Sequence, residues 1–383
     1  MNRPALTCSS KIISHGMGLI RFIVGFFIIS VFTWPAFAQE DRTDCERTLI
    51  NAIEEFNAGR FYGVPIMLKP CIDRGFSREQ RQRAFLLLAQ TYLLLDDPLA
   101  AENSYLEVLR ANPEFETDTA LHPIDLVYLS KKFTADPIFS VFARVGGNTA
   151  PVRVIETVSP SGLPVNNNYN LRLGFQLAGG IDFNFNRFLS IGAEGEWRFT
   201  SYRKVQTRFS DDLLDLTSNQ SWFTIPVFVK YSYTTGKLRP YGYGGFAIHL
   251  ITSDNAKFVS QKRDLSDLNP LILPEREIPK RSLMDFRNTL NRSLLVGGGL
   301  RYKYGLDYFF VDVRYYLGLS NLVVPTSSAS YSGVLAELGH ADDMFRMDNF
   351  SISIGYYHPF YNPRKLKHAR TKSILRDINK SAK

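Results

Sequence analysis

The stretch IGAEGEWRF, residues 191–199, places two carboxylates and a guanidinium at every second position. Glu194, Glu196 and Arg198 alternate there with apolar or small residues. Side chains at every second position of a β-strand point to one face. Two carboxylates on one face could serve general acid/base catalysis. They could equally be structural, and the surrounding sequence has to decide between these uses.

Two histidines are the other candidates for catalysis. His249 precedes Ser253 and Asp254, and His340 precedes Asp342. Histidine with an acid and a hydroxyl is the set that nucleophilic hydrolases use. However, no Gly-x-Ser-x-Gly or His-Glu-x-x-His motif accompanies them, and no pair of histidines has metal-ligand spacing. We therefore favour a protein that is not an enzyme and needs no cofactor, with His249 and Asp254 the first residues to test.

Eight segments between residues 138 and 360 alternate between apolar and polar side chains. In LRLGFQLAGGIDFNF, for example, the leucines and phenylalanines fall on one side and Arg172, Gln176 and Asp182 on the other. Such alternation predicts strands with unlike faces, each long enough to cross a bilayer when tilted. The segments lie near 138–147, 171–185, 188–200, 222–234, 238–250, 293–304, 308–318 and 349–359.

Short and long connections alternate strictly between these segments. Tight turns fall at 186–187, 234–237 and 305–307, whereas the links near 148–170, 201–221, 251–292 and 319–348 are long. Outer-membrane barrels have short periplasmic turns and long outer loops. A soluble sandwich or lipocalin-like barrel would show the same alternation. Strand length, the one-sided long links and aromatic residues at the strand ends favour an all-β, eight-stranded antiparallel transmembrane barrel over residues 136–361.

The polar face of these strands would line the lumen. An eight-stranded barrel is only wide enough for side chains to fill, so opposite charges should pair there. We expect a closed lumen in which glycines leave room for long basic side chains. A partly wet, basic lumen that attracts anions is the alternative. The predicted lumen charges are Arg144, Arg172, Asp182, Glu194, Glu196, Arg198, Lys230, Arg239, Arg301, Lys303, Asp312 and Arg314.

The carboxylates of the opening stretch have predicted partners within this set. Arg172, Lys230 and Arg239 lie on neighbouring strands and are expected to meet Glu194 and Glu196. Because nearby bases keep both carboxylates ionised, the two are not poised as an acid and a base.

The N-terminal residues resemble a signal peptide. Basic residues are followed by the apolar run FIVGFFIISVFTWPAFA, whose small residues at 36 and 38 suit signal peptidase. We expect cleavage after Ala38, with an uncleaved membrane anchor as the alternative. The exported chain then keeps two cysteines, Cys45 and Cys71, and an even count suggests a disulfide.

Residues 39–135 read as helices. The segment RQRAFLLLAQTYLLLDDPLAAENSYLEVLRANP, residues 81–113, resembles a tetratricopeptide repeat. An earlier half-repeat would bring Cys45 and Cys71 side by side, so the resemblance also implies their disulfide. A further helix near 122–133 would cap the array. The alternative is a generic helical domain. The predicted helix-packing positions are Ala89, Tyr92, Ala101, Tyr105 and Pro113.

The strand region resembles a known family. The run FTIPVFVKYSYTTGKLRPYGYGGFAIHL, residues 223–250, is similar to the small outer-membrane β-barrel, or porin-family, proteins common in Bacteroidota. The resemblance spans roughly 138–360. It implies an outer-membrane location and roles that range from envelope structure and adhesion to protein export.

Residues 362–383 form a basic tail with eight basic residues against one acidic residue. The chain's formal charge of +8 therefore comes from its ends and gives no reason to expect a nucleic acid partner. A periplasmic tail of this kind would suit acidic lipid head groups, a partner protein or the cell wall. An unstructured solubilising tail is the alternative.

Together these features predict a barrel that anchors a periplasmic helical domain in the outer membrane. Its partners would be outer-membrane lipid and other envelope proteins, bound through the helical domain or the tail, for example in an assembly or secretion complex. A narrow porin for small anions is the second interpretation, and an outer-membrane hydrolase a weaker third.

Overall fold

The computed structural model describes residues 40–158, 166–207, 213–264, 271–324 and 340–366. Its described residues form two compact units, one from Glu40 to Thr134 together with Pro363 to Leu366, and the other within Ala135–Asn362. The predicted signal peptide, and the predicted tail beyond residue 366, lie outside the described residues.

The first unit is helical. Its helices are α1 (Glu40–Asn57), α2 (Gly63–Arg74), α3 (Arg78–Leu94), α4 (Pro98–Ala111) and α5 (Ile124–Ser130). The start of α3 is fixed by a capping box, in which the Ser77 hydroxyl accepts from the Gln80 amide and the Gln80 side chain accepts from the Ser77 amide. Within the described residues, no helix combines the length and apolarity needed to cross a membrane.

Apolar faces of α1, α2 and α3 meet in a small core. Leu49 of α1, Leu68 of α2 and Ala84 of α3 are fully buried in it. A disulfide between Cys45 and Cys71 joins α1 to α2 across 26 residues of chain. Closing a loop of this length stabilises a fold by about 3 kcal/mol in the chain-entropy model.

A two-stranded ribbon completes the helical unit. Strand β1 (Phe133–Thr134) pairs antiparallel with β16 (Arg364–Lys365) from the far end of the chain. The Glu102 carboxylate accepts from both Lys132, at 3.3 Å, and Lys365. The first residues of the predicted tail are therefore part of the helical unit.

The second unit is a closed, eight-stranded antiparallel barrel, as predicted. Its strands are β2 (Phe139–Thr149), β5 (Leu173–Asn184), β6 (Leu189–Thr207), β7 (Leu213–Ser232), β8 (Leu238–Gln261), β12 (Leu290–Tyr304), β13 (Asp307–Gly318) and β15 (Asn349–Phe360). They pair in the order β2-β5-β6-β7-β8-β12-β13-β15, and β15 returns to β2.

Shorter strands lie at the long-loop end. These are β3 (Val152–Glu156), β4 (Asn166–Leu171), β9 (Arg263–Asp264), β10 (Leu271–Ile272), β11 (Arg276–Ser282) and β14 (Met344–Met347).

The ends of the barrel differ. The turn end carries the tight turns at 185–188, 233–237 and 305–306, and there β2 starts beside the end of β15, with Phe139 opposite Phe360. The loop end carries the long connections.

Two of the predicted long loops are largely strand. Strands β6 and β7 continue through the link at 201–221, where Thr207 pairs with Leu213, and β8 continues to Gln261 beside β11. These strand extensions were predicted as loops because their outward side chains become polar, while the backbone stays in a β-strand. The outward face of β6 is apolar up to Phe199 and then turns to Ser201 and Arg203, while inward positions remain buried. The alternation that predicts these strands relies on outward apolar residues, so the predicted strand ends where those residues end, although the strand itself continues.

The outer face shows that the barrel faces lipid. Large apolar side chains point outward around its circumference and remain exposed, such as Leu173 at 86%, Phe246 at 67% and Ile354 at 61%. Polar and charged side chains point inward and are buried. A lipocalin-like barrel would have the opposite arrangement. On β6 the outward apolar positions run from Leu189 to Phe199, which on a tilted strand suits a band about 25 Å tall.

Inward-facing glycines make room for aromatic rings rather than for the basic side chains that the sequence suggested. A Cβ added at these glycines would overlap a ring from an adjacent strand. The pairs are Phe142 with Gly180, Phe228 with Gly192, Tyr243 with Gly297, Tyr241 with Gly299 and Phe310 with Gly355.

These pairs make a prediction about packing. Gly297→Ala should destabilise the barrel by about 1–3 kcal/mol, because the added methyl group overpacks the interior against Tyr243. The midpoint of the heat-induced loss of the fast-migrating folded band on gels measures this. Gly244→Ala is the matched control, since its Cβ would face outward with the nearest atom 3.7 Å away. Equal midpoints for the two variants would contradict the packing.

Candidate functional site

The centre of the lumen is an ion-pair network around Arg144. Its guanidinium lies between Glu194 and Glu196, donating from Nε to Glu194 at 2.8 Å and from Nη2 to both carboxylates. Arg314 reaches the other oxygen of Glu194 at 2.9 Å, and the Tyr316 hydroxyl donates to Glu196 at 3.1 Å. The side chains of Arg144 and the two glutamates are fully buried.

Asp312 extends the network toward the turn end. It accepts from Arg314 Nε at 2.7 Å and from the hydroxyls of Tyr241 and Tyr243 at 3.0 and 2.8 Å. Hydrogen bonds from charged and neutral donors together compensate a buried carboxylate.

A third group lies nearer the turns. Lys230 donates to Asp182 at 2.6 Å, and Arg301 lies 3.6 Å from the same carboxylate. Four aromatic rings surround the Lys230 ammonium within 6 Å of their centroids, the nearest being Phe142 at 4.9 Å. This end of the lumen is therefore filled by rings and ion pairs.

The partners predicted for Glu194 and Glu196 were wrong. Lys230 pairs with Asp182, Arg239 donates to the Tyr308 hydroxyl at 2.7 Å near the turn end, and Arg172 is exposed. Alternation fixes the face on which a side chain lies but not its height along the barrel. Lys230 lies opposite Ser190, four residues from Glu194.

The structure divides the predicted lumen charges into three sets. Arg172 lies outside the barrel, where it donates to the Thr217 hydroxyl at 3.4 Å, because the strand breaks there between β4 and β5. Arg239 and Lys303 are partly exposed near the turn end. The interior set is Arg144, Asp182, Glu194, Glu196, Arg198, Lys230, Arg301, Asp312 and Arg314.

Two small cavities lie beside this network in the part of the chain that the structure describes. One cavity, between Lys230, Arg301 and Asp312, has about 10 Å³ for the centres of water molecules. A second, between Arg198, His249 and Ser293, has about 30 Å³. One water needs about 10–15 Å³ on this measure, so each holds a few waters at most.

A buried layer covers the loop end of the lumen, and we call it the cap. It consists of inward-facing residues of the extended strands and of the loops that cross them. Its apolar core is Tyr202, Leu214, Leu216, Trp222, Ile251, Ala256, Phe258, Ile278, Leu283, Leu322, Val323 and Phe345.

The cap has its own ion pairs. Arg287 lies between Asp254 and Asp342, at 2.6 and 2.7 Å, and Lys204 lies 3.1 Å from Asp343. Sequence reasoning missed this cluster because its members come from two strand extensions and two long links. The buried partners of Arg287 in particular have no common periodicity. The available signal was the alternation that continues past residue 200.

Burial and charge shift the pKa values of groups in the cap. Burial raises the pKa of the Asp342 carboxyl, but the charge of Arg287 outweighs it and holds that pKa well below its usual range. Burial lowers the pKa of the His340 imidazole. The Asp342 carboxylate, 3.3 Å away, raises the pKa of His340 again but only in part. The positive charges of Lys204 and Arg287 lower that pKa further.

Part of the barrel matches a known protein family. Residues 141–324 match the family described as "Outer membrane protein beta-barrel domain". With its closed, eight-stranded antiparallel sheet, the barrel is of the outer-membrane-protein type. No curated protein matches the chain.

Solved outer-membrane barrels resemble it at low identity. Neisserial surface protein A is 13% identical, with 58% of this chain and 97% of that chain covered and a TM-score of 0.28. OprG from Pseudomonas aeruginosa is 10% identical, with 59% of this chain and 99% of that chain covered and a TM-score of 0.32. The outer membrane protease OmpT from Escherichia coli is 11% identical, with 60% of this chain and 98% of that chain covered and a TM-score of 0.24.

His249 is not set up as a catalytic base in this outer-membrane barrel. Arg198 can only donate, and its Nη2 lies 3.1 Å from Nδ1 of His249, so Nδ1 must accept. The ring proton is then on Nε2, which lies 2.6 Å from the Ser293 hydroxyl and donates to it. A base that activates serine needs the opposite tautomer. Asp254 bonds instead to Ser218, Gln220 and Arg287.

The predicted helix-packing residues lie in the helical unit as follows. Ala89 of α3 and Ala101 of α4 are fully buried, and Tyr105 packs against Phe133 with ring centroids 5.5 Å apart. Tyr92 borders the core, and Pro113 follows the end of α4. The tetratricopeptide resemblance itself stays a prediction. Across the described ranges, no three His, Cys, Asp or Glu side chains are arranged to hold a metal ion.

The network at Arg144 makes a prediction about stability. Replacing both Glu194 and Glu196 by glutamine leaves Arg144 buried without its counterions. Breaking a buried ion pair in this way costs about 3–5 kcal/mol, so the midpoint of heat-induced unfolding should fall markedly.

An exposed ion pair between β6 and β7 provides the control. The side chains of Arg203 and Asp215 are 49% and 24% exposed, and Asp215→Asn should cost less than about 1 kcal/mol. If the glutamine double variant melts like Asp215→Asn, the lumen network does not stabilise the barrel.

The cap makes a prediction about pH. Histidine in the unfolded chain titrates near pH 6.5, while the lowered pKa keeps folded His340 neutral to a more acidic pH. As the pH falls, the unfolded state thus takes up the proton first. The free energy of unfolding of the cap should therefore decrease by up to about 1.4 kcal/mol per pH unit below about pH 6.5. Proteolysis of the cap in purified protein measures this. His340→Gln should remove that part of the pH dependence, and an unchanged profile would contradict the assignment.

Proposed function

We propose that the protein is a non-enzymatic outer-membrane anchor that carries a periplasmic helical domain for binding other envelope proteins, as part of an assembly or secretion complex. The filled lumen is the observation that supports this most. Nine charged residues and the rings between them occupy the interior, and the cap covers the loop end. A barrel packed in this way is suited to holding a position in the membrane.

The ends of the barrel support a periplasmic location for the helical unit. The barrel strands begin at Phe139 and end at Phe360, and both residues lie at the turn end. Short turns face the periplasm in outer-membrane barrels. The chain on either side of the barrel, including the helical unit and the basic tail, is therefore assigned to the periplasm.

The surface of the helical unit supports a role in protein binding. Tyr62 and Ile66, one turn apart at the start of α2, are 82% and 76% exposed. Ile50 and Ile53 of α1 are exposed as well. Exposed apolar side chains in neighbouring positions are typical of surfaces that bind other proteins. The basic tail is a second candidate surface, and outer-membrane lipid surrounds the barrel.

The two alternatives have less support. A narrow anion porin would need a continuous wet path, whereas the cavities beside the network hold only a few waters. An outer-membrane hydrolase that used His249 as its base would need the other tautomer of this histidine.

The anchor role predicts an electrically silent barrel. Purified protein reconstituted into planar bilayers should give no steady single-channel openings, because ion pairs and rings fill the lumen. Steady openings in wild-type protein would overturn the anchor in favour of the porin.

The binding role predicts partners that depend on α2. Crosslinking in intact cells, followed by purification of the tagged full chain, should recover a defined set of envelope proteins. Tyr62→Ala with Ile66→Glu should lose members of that set without unfolding the domain, since both side chains are exposed. Leu99→Glu, at an exposed position of α4, is the control. An identical set from all three chains would count against this surface.

A further inference from the structure

The outward face of β6, β7 and β8 changes its chemistry in steps toward the loop end. Residues that pair across neighbouring strands lie side by side, so the pairing arranges the outward side chains in rows. One row is wholly apolar and consists of Trp197, Phe223 and Leu250. In the next row, Phe199 lies opposite Ser221. We call the first of these the apolar row.

A row of uncharged polar side chains follows, and we call it the amide row. Ser201 lies opposite Asn219, and Asn219 lies opposite Asn255. Both asparagines are exposed. Hydroxyl and amide groups can donate and accept hydrogen bonds, so this row suits a ligand that carries several hydroxyl groups.

The basic row comes next. Arg203 lies opposite Thr217, and Thr217 lies opposite Lys257. Arg172 reaches the same place from the break between β4 and β5, where its guanidinium donates to the Thr217 hydroxyl at 3.4 Å. Since Arg203 is four residues beyond Phe199, it lies about 10 Å higher on a strand tilted by about 40°. The amide row occupies the height between the apolar and basic rows.

Two carboxylates accompany the three bases of this row. Asp215 contacts Arg203, and Glu277 contacts Lys257 at 3.0 Å. Arg172 has no carboxylate within ion-pair distance among the residues that the structure describes. The two ion pairs are partly exposed, and such pairs are weak. Arginine has five N–H donors and lysine three, so these side chains can bind a phosphate group without releasing their carboxylates.

We propose that this face binds a phosphorylated glycolipid of the surrounding membrane. Its acyl chains pack on the apolar row, its sugar hydroxyls bond to the amide row, and its phosphate accepts from the basic row. A phospholipid without a sugar leaves the amide row unused. The inference goes beyond the anchor function and takes from it only the orientation, which makes the leaflet the outer one.

Lipid binding in detergent provides the first test. The full-length protein is titrated with a bisphosphorylated, acylated glucosamine disaccharide, and the midpoint for heat-induced loss of the folded band is recorded. A ligand that binds only the folded state raises stability by a constant amount for each tenfold increase above its dissociation constant. The midpoint should therefore rise with the logarithm of the lipid concentration.

Three comparison probes separate the sources of phosphate. The same lipid without its phosphates, phosphatidylglycerol and inorganic phosphate should each raise the midpoint less. Equal rises with the dephosphorylated lipid or phosphatidylglycerol would mean that any acyl lipid occupies this face. An equal rise with inorganic phosphate would indicate a site for free phosphate. Each of these results would overturn the proposal.

Two pairs of substitutions locate the phosphate. Arg172→Gln with Lys257→Gln should raise the apparent dissociation constant of the phosphorylated glycolipid about tenfold or more, because charge-assisted hydrogen bonds are lost. Lys237→Gln with Lys303→Gln removes two charges near the turn end and should leave it unchanged. Equal losses in both pairs would mean that net charge attracts the lipid, and no loss in either would place the phosphate elsewhere. Both outcomes reject the basic row.

The amide row has its own test. Asn219→Ala with Asn255→Ala should weaken binding of the phosphorylated glycolipid and leave binding of phosphatidylglycerol unchanged. Unchanged affinity for the glycolipid would remove the sugar contact and overturn the proposal. These affinities are measured on the isolated protein, so a failure of the anchor role, shown by steady channel openings, would leave them as they are.

Discussion

The structure depends on the burial of Arg144 between Glu194 and Glu196. With lipid outside and no room for bulk water inside, a charge in this interior finds counterions only on other strands. Arg144 lies on β2 and both glutamates lie on β6, while Arg314, which reaches Glu194, lies on β13 on the opposite side of the barrel, so this contact forms only when the sheet is closed. Closure of the sheet and neutralisation of its interior are therefore one event.

The aromatic rings and the cap follow from the same constraint. A charge network excludes water best when the space around it is filled, and the rings of Phe142, Tyr243 and Phe310 fill the space left by glycines on adjacent strands. At the loop end, where strands rise above the lipid, the same solution appears again. Arg287 lies between two aspartates and is covered by an apolar layer. The barrel is thus closed by side chains at every height.

The sequence predicted much of this because alternation is a local property. Strand number, closure and the inward direction of Glu194 and Arg144 all follow from period two and from the lengths of the connections. Which charges meet does not, because partners such as Arg144 and Glu194 are 50 residues apart and their heights depend on the stagger of the strands. The exposure of Arg172 depends on a break between β4 and β5 that its neighbours do not signal. The cap was missed because its outward positions are polar and look like loop.

The ribbon between β1 and β16 has a consequence for the order of folding. The helical unit contains residues from both sides of the barrel, so the barrel sequence is an insertion within it. Glu102 and strand β1 emerge early during synthesis, whereas Lys365 follows all eight barrel strands. A chain interrupted anywhere in the barrel would therefore lack the strand that finishes the helical unit, and completion of that unit reports that the whole barrel has been made.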